Sequence, residues 1–552
     1  APAKITVYDL GTGFDRITAD FANVAIGIRS LAGIEAIDAG GFGGVTVIGS
    51  IGDDILDFTA VTLTGIGLIN GAAGNDTITG SGNADIIAGG TGDDTLAGGG
   101  GDDIFRVGFT GGYDSYDGGA GRNIIEASAD NVYIGIRSLA NIAEISAGFY
   151  GNVTIHGTTG DDYFDFSTVT LTGIAAIDGR NGNDTIIGTA FDDTLFGGNG
   201  NDRLIGGNGN DIIDGNGGFD FLDGGAGDDT FYVGAGGAGA NTYRGGTGYD
   251  LITASKDHAI VILTATTYSG IEEVNSGGFI NFTIAGTEFD DNINLSGILI
   301  SEGDIAAING GAGADVIMAS KVADTVNGGW GDDTLRGISG DDFLNGDIGN
   351  DTLDGGVGAD TLSGGADNDL LIGGLGADTL SGDDGDDVFR ILPKDVVDSI
   401  DGGAGADTVA AGANGTQMAL VSMTGIEIVS GGGFANVAVV GTSADDLLDF
   451  SGISFVGIKN ISGLAGNDNI IGSMADDLLL GVGGDDVLDG FTGADTLTGG
   501  LGADTLTGGL GADVFKDGIK NFAGDIITDF AAEDRLNFTN ISNPSAVRFA
   551  FA

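Results

Sequence analysis

Gly355-Gly-Val-Gly-Ala-Asp360-Thr-Leu-Ser363 and Gly373-Gly-Leu-Gly-Ala-Asp378-Thr-Leu-Ser381 are two renderings of one nine-residue phrase. Between Gly310 and Arg390 an aspartate returns every ninth residue, at Asp315, Asp324, Asp333, Asp342, Asp351, Asp360, Asp369, Asp378 and Asp387. Glycines precede most of these acids, and an apolar residue stands two positions after each. A short fixed period of this kind marks units that cannot bury a core alone and must stack on their neighbours.

The same phrase runs elsewhere in the chain. Asp76, Asp85, Asp94 and Asp103 form one run; Asp184, Asp193, Asp202, Asp211, Asp220 and Asp229 form another; Asp468, Asp477, Asp486, Asp495, Asp504 and Asp513 form the last. Each run follows a recurring spacer. The spacer opens at Asp15, Asn123, Asp250 or Asp407, passes a Gly-aromatic step at Phe42, Tyr150 (or its neighbour Phe149), Phe279 or Phe434, and reaches an acid pair ending at Asp54, Asp162, Asp291 or Asp446. The pair leads into Leu-Asp-Phe58, Phe-Asp-Phe166, Ile-Asn-Leu295 or Leu-Asp-Phe450. Spacer length is nearly constant while the number of nonapeptides varies, as expected of stackable layers. This divides the chain into solenoid repeats at 1–108, 109–234, 235–391 and 392–515, with 516–552 as a C-terminal cap and secretion-signal region.

The composition narrows the function classes. Of 552 residues, 111 are Gly and only 3 are Pro, without the Gly-X-Y period of collagen. With 81 Asp and Glu against 19 Lys and Arg, the net charge is -62, which opposes binding to nucleic acid and favours cations. Hydrophobic residues make up 41% and recur in register, which disorder does not explain. Cysteine is absent, and His156 and His258 are isolated, so thiolate or histidine metal sites do not arise. No apolar run is long enough for a membrane-spanning helix, and no membrane insertion is expected. The first residues lack a signal-peptide pattern, pointing to a processed form or a segment of a longer precursor.

Local chemistry converts the period into a fold. The residues after each acid, as in Asp94-Thr-Leu and Asp193-Thr-Leu, make a very short strand with one inward apolar side chain. The glycines make a turn that needs positive φ. Two units close a coil of roughly eighteen residues, and coils stack about 4.8 Å apart. Stacking brings carboxylates of successive coils within about 5 Å, where they repel by about 1–3 kcal/mol per pair. One buried Leu per nonapeptide, about 1.5–3 kcal/mol, falls short of the entropy cost of ordering nine residues. A cation between turns reverses the sign of the electrostatics. Calcium suits the role better than magnesium because it accepts six to eight oxygens, backbone carbonyls included, in flexible geometry. On the order of 20–30 Ca²⁺ would offset much of the net charge. All the period-nine aspartates, with Asp15, Asp54, Asp162, Asp250, Asp291, Asp407 and Asp446, are candidate metal ligands.

Gly-Gly-Thr-Gly-Asp-Asp94-Thr-Leu-Ala and its kin resemble the RTX (repeats-in-toxin) calcium-binding nonapeptide. The resemblance implies an all-β, right-handed parallel β-roll with calcium ions in the turns, and the spacers look like degenerate coils of the same solenoid. It further implies export through a type I secretion channel and folding in calcium outside a Gram-negative cell. The tail from Asp513 through Asp525, Phe530 and Asp534 to Phe538 resembles the segment that closes such rolls. The repeats depart from the pattern at Asn123 and between Met318 and Ala323, where the glycines vanish.

No catalytic constellation assembles. His-Glu-x-x-His and Gly-x-Ser-x-Gly are both missing, so the expectation is a non-enzyme. Phe58, Phe166 and Phe450 read as core filling rather than a binding stripe. Trp330 falls in a turn, with a harmless surface position as the plain reading and an interface role as the sharper one. The chain resembles RTX-type surface-layer proteins, and the expected function is a secreted, calcium-dependent structural protein. It would self-assemble with copies of itself into a surface layer or extracellular filament, with cell-surface polysaccharide as a further candidate partner. The alternative is the RTX portion of an adhesin or exoenzyme whose working domain precedes Ala1.

Overall fold

The computed structural model describes residues 4–5 (backbone only), 12–29, 31–109, 111–234, 240–301, 303–395, 398–518, 520–522 and 524–539. The expected C-terminal cap and secretion-signal region lies outside the described residues from 540 onward. The chain forms two compact units, Ala1–Ile262 with Thr266–Ile280, and Leu263–Ala265 with Asn281–Ala552. Among the described residues the regular elements are all strands.

The second unit shows the construction most plainly. Thr334–Ser339, Thr352–Val357, Leu370–Leu375 and Val388–Ile391 are neighbours in one sheet. The strands between them in sequence, Phe343–Ile348, Thr361–Ala366 and Thr379–Asp384, belong to the other. Each strand pairs in parallel with the next but one, Leu335 opposite Leu353 and Leu353 opposite Leu371. The chain therefore alternates between two sheets and completes a coil in eighteen residues, which makes a parallel β-roll. The first unit repeats this, with Leu195 opposite Ile213 in one sheet and Leu204 opposite Leu222 in the other.

Period-two alternation decides what lies inside. In Thr352–Val357 the Leu353 side chain and Gly355 are buried while Thr352 and Asp354 face outward. Leu335, Leu353 and Leu371 thus stack on one inner face, and Leu344, Leu362 and Leu380 on the other. The strands are longer than three residues because ladder pairing continues into the glycines, Gly356 lying opposite Gly374.

The spacers are coils as well, only wider. Val47 pairs with Ile69, Ile284 with Ile308 and Leu448 with Ile470. Phe164 lies opposite Ile186, which lies opposite Leu204, so a spacer step covers 22 residues where a nonapeptide step covers 18. Phe58, Phe166, Leu295 and Phe450 are all buried, filling these wider coils. The tail docks by pairing Arg535–Thr539 with Val514–Gly518.

Replacing Leu353 by Ala leaves a void between Leu335 and Leu371. In calcium it should destabilise the adjoining coils by about 2–5 kcal/mol, seen as faster amide hydrogen exchange in Thr334–Ser339 and Leu370–Leu375. Unchanged exchange there would count against the stacked core.

Candidate metal centre

Asp351 typifies the turns. Its backbone N–H donates to Oδ1 of Asp369 in the following coil, at 2.7 Å, and its own Oδ1 accepts from the N–H of Asp333, at 2.7 Å. Its Oδ2 is buried without a hydrogen-bond partner. Gly346, five residues earlier, makes room: a Cβ there would collide with that oxygen. Two further residues, four and two before the acid, hold left-handed backbone, as at Gly356 (φ 104°) and Gly358 (φ 156°) ahead of Asp360. A Cβ on Gly331 or Gly376 would strike the carbonyl oxygen of Gly313 or Gly358, eighteen residues back, so turn carbonyls stack along the column.

These bonds chain the acids into eight columns, two for each long repeat. In the first, Asp54 leads through Asp76 and Asp94 to Asp114, and Asp85 through Asp103 to Asn123. Asp162 leads through Asp184, Asp202 and Asp220 to Asn241, and Asp193 through Asp211, Asp229 and Asp250 to Glu272. Asp291 leads through Asp315, Asp333, Asp351, Asp369, Asp387 and Asp407 to Glu427. Asp324 leads through Asp342, Asp360 and Asp378 to Asp398. Asp446 leads through Asp468, Asp486 and Asp504 to Asp525, and Asp477 through Asp495 and Asp513 to Asp534. Asp15 stands apart from these and donates its N–H to Glu35.

Burial, reinforced by neighbouring carboxylates, pushes Asp333, Asp342 and Asp369 up to about 7, and Asp351, Asp360 and Asp387 to about 6. A row of buried carboxylates, each with an oxygen lacking a donor and with carbonyls stacked beside it, fits a hard divalent cation. The RTX calcium-binding nonapeptide repeat model matches residues 79–109, 178–213, 205–236, 236–258, 309–344, 327–362, 336–371, 363–390, 397–415, 460–488 and 489–515. This chain is an RTX calcium-binding nonapeptide-repeat protein. Its repeats bind multiple calcium ions, and the Oδ2 atoms together with the turn carbonyls would hold them. No curated protein matches the chain.

Eight acids of this RTX chain sit differently from Asp351. At Asp85, Oδ2 accepts from the N–H and hydroxyl of Ser81 at 2.6 and 2.9 Å. Thr189 does the same for Asp193 (2.6 and 2.9 Å), Ser320 for Asp324 (2.8 and 2.7 Å) and Ser473 for Asp477 (2.6 and 2.9 Å). Thr158, Thr287 and Thr442 likewise bond Asp162, Asp291 and Asp446 through N–H and hydroxyl, and Ser50 bonds Asp54 through its N–H. None of these Ser and Thr residues has left-handed φ. The loss of glycine between Met318 and Ala323 belongs to this class, and there Ala319 occupies the position five before Asp324.

The column ends were not visible in the period. Asp114 accepts from the Tyr116 hydroxyl at 2.9 Å, and Asp534 from the N–H of Ala531 at 2.6 Å. Asp398 replaces a period-nine acid after the loop containing Pro393, and its carboxylate lies with those of Asp378 and Asp395 so that one oxygen of each falls within 4.8 Å. An outer, exposed ladder also escaped notice. The acid or amide one residue before the ligand position accepts from the next coil, as when the Asn350 N–H donates to Asp332 at 2.9 Å. The recurring Asp-Asp and Asn-Asp pairs were its signal.

Raised carboxylates give the metal-free roll a definite pH dependence. Their folded values, about 6–7, exceed the ordinary 3.8, so the stability they confer is complete below about pH 4 and is lost as pH rises through 6–7. In chelator, circular dichroism should show strand content falling as pH climbs from 4 to 7.5, with calcium restoring it. The calcium concentration for half-folding should fall as pH drops from 7 to 5, because protons already neutralise part of the ladder. Insensitivity of both to pH would refute this account of the ladder.

Proposed function

We propose that this protein is a secreted structural component that folds on calcium and assembles with copies of itself at a cell surface, as a surface layer or extracellular filament. On this reading it is exported by a type I route from a Gram-negative cell and acts without catalysis. The open-turn aspartates, from Asp76 to Asp504, are its calcium ligands.

The observation that carries self-association is the outer edge of the turns. In the second unit Trp330 lies opposite Ile348 and Ile348 opposite Ala366, with Trp330 69% and Ile348 49% exposed. On the other edge Val357 lies opposite Leu375, at 53% and 50%. Parallel pairing thus turns single apolar residues into rows, each set among acidic side chains. Apolar rows favour contact with another surface, while the acids oppose contact between like molecules. Calcium would lower that repulsion as well as fold each copy, so folding and assembly share one trigger.

Electron microscopy of the purified protein should show ordered sheets or fibres in calcium and none in chelator. Trp330→Ser should weaken assembly while leaving calcium-dependent folding intact. Dispersed, folded monomers at every calcium concentration would count against assembly.

A further inference from the structure

We propose that the eight turns headed by Ser or Thr take no calcium, because the chain supplies there the donors that a cation would otherwise replace. The inference rests on calcium binding by the open turns and does not depend on self-assembly.

The two kinds of turn differ at Oδ2, the carboxylate oxygen that a cation would take. In an open turn Oδ2 is buried and without a donor, so a neutralising ligand is required. In a capped turn the same oxygen already receives an N–H bond, joined by a hydroxyl bond in all but the turn of Asp54. The hydroxyl is itself held, since the N–H two residues on donates to it: Phe191 to Thr189 at 3.1 Å, Val322 to Ser320 at 3.3 Å, Ala475 to Ser473 at 3.1 Å. This closed local network is the Ser/Thr form of a side-chain turn. A calcium ion entering it would have to displace these donors from the carboxylate, whereas in an open turn it displaces none.

Backbone conformation divides along the same line. Ahead of Asp342, Asp486 and Asp495 the residue four before the acid is left-handed although it is Ile338 (φ 81°), Val482 (φ 81°) or Phe491 (φ 66°). Side chains of this kind occupy that region at a cost of about 1–3 kcal/mol. The conformation is therefore imposed by the open turn and is not a by-product of glycine. In the capped turns Ser and Thr avoid it.

Every capped acid is the head of its column, and the columns proceed from it through open turns. Each calcium ladder thus opens on a turn whose carboxylate is satisfied by the chain itself.

Native mass spectrometry of the full chain in calcium counts bound ions. Asp477→Asn should leave the count unchanged, while Asp495→Asn, the next acid in the same column, should lower it by at least one. Ser473→Gly with Ala475→Gly recreates Gly-Gly-x-Gly-x-Asp over residues 472–477 and should raise the count by one. This double variant keeps every carboxylate, so it tests the idea even if Asp477→Asn fails to fold. Loss of calcium in Asp477→Asn, or no gain in the double variant, overturns the proposal. A wild-type chain that binds no calcium would overturn the calcium reading along with it.

Discussion

One hydrogen bond recurs through the roll and fixes everything around it: the aspartate N–H of one coil donating to Oδ1 of the aspartate in the next, at 2.7–2.9 Å along the column from Asp291 to Asp407. It aligns the coils, buries the acid and commits one carboxylate oxygen. The other oxygen is left facing its like in neighbouring coils, in surroundings that penalise charge. Strand pairing and the stacked leucines favour the fold that creates this conflict. The cation resolves it, which is why metal binding and folding are one event here.

The turn is shaped by the same oxygen. A side chain five residues before an open-turn acid would collide with Oδ2, as at Gly355 and Asp360, so glycine is needed there for space. One residue later the reason for glycine is conformational, and it is weaker, since Arg180, Ile338 and Leu464 also adopt left-handed backbone at the position four before the acid. The nonapeptide thus contains glycines of two kinds, one excluded by volume and one preferred by φ.

Much of this was legible in the sequence. The period of nine gave the coil of eighteen, the apolar residue two past each acid gave Leu353 and Leu371 in the core, and Phe58, Phe166 and Phe450 read correctly as filling. The period treats Asp324 and Asp342 as equals, however, and the structure does not. The distinction lies four residues upstream, in Ser320 against Ile338, and depends on whether a side chain can donate rather than on hydrophobicity or spacing. Column ends such as Asn241, Glu272 and Asp398 fell out of register by two to four residues, because the intervening coils are wider and the short period cannot follow them.

Because consecutive strands alternate between two sheets, the roll has a parity. Trp330 and Ile348 share an edge because eighteen residues separate them; Val357, nine from Ile348, lies on the opposite one. Lengthening a run by a whole coil leaves each side chain on its own edge, whereas adding half a coil transfers every later residue to the other. Changes of length are therefore of two sorts for this molecule. One is silent to its surfaces, and the other exchanges left for right along all that follows.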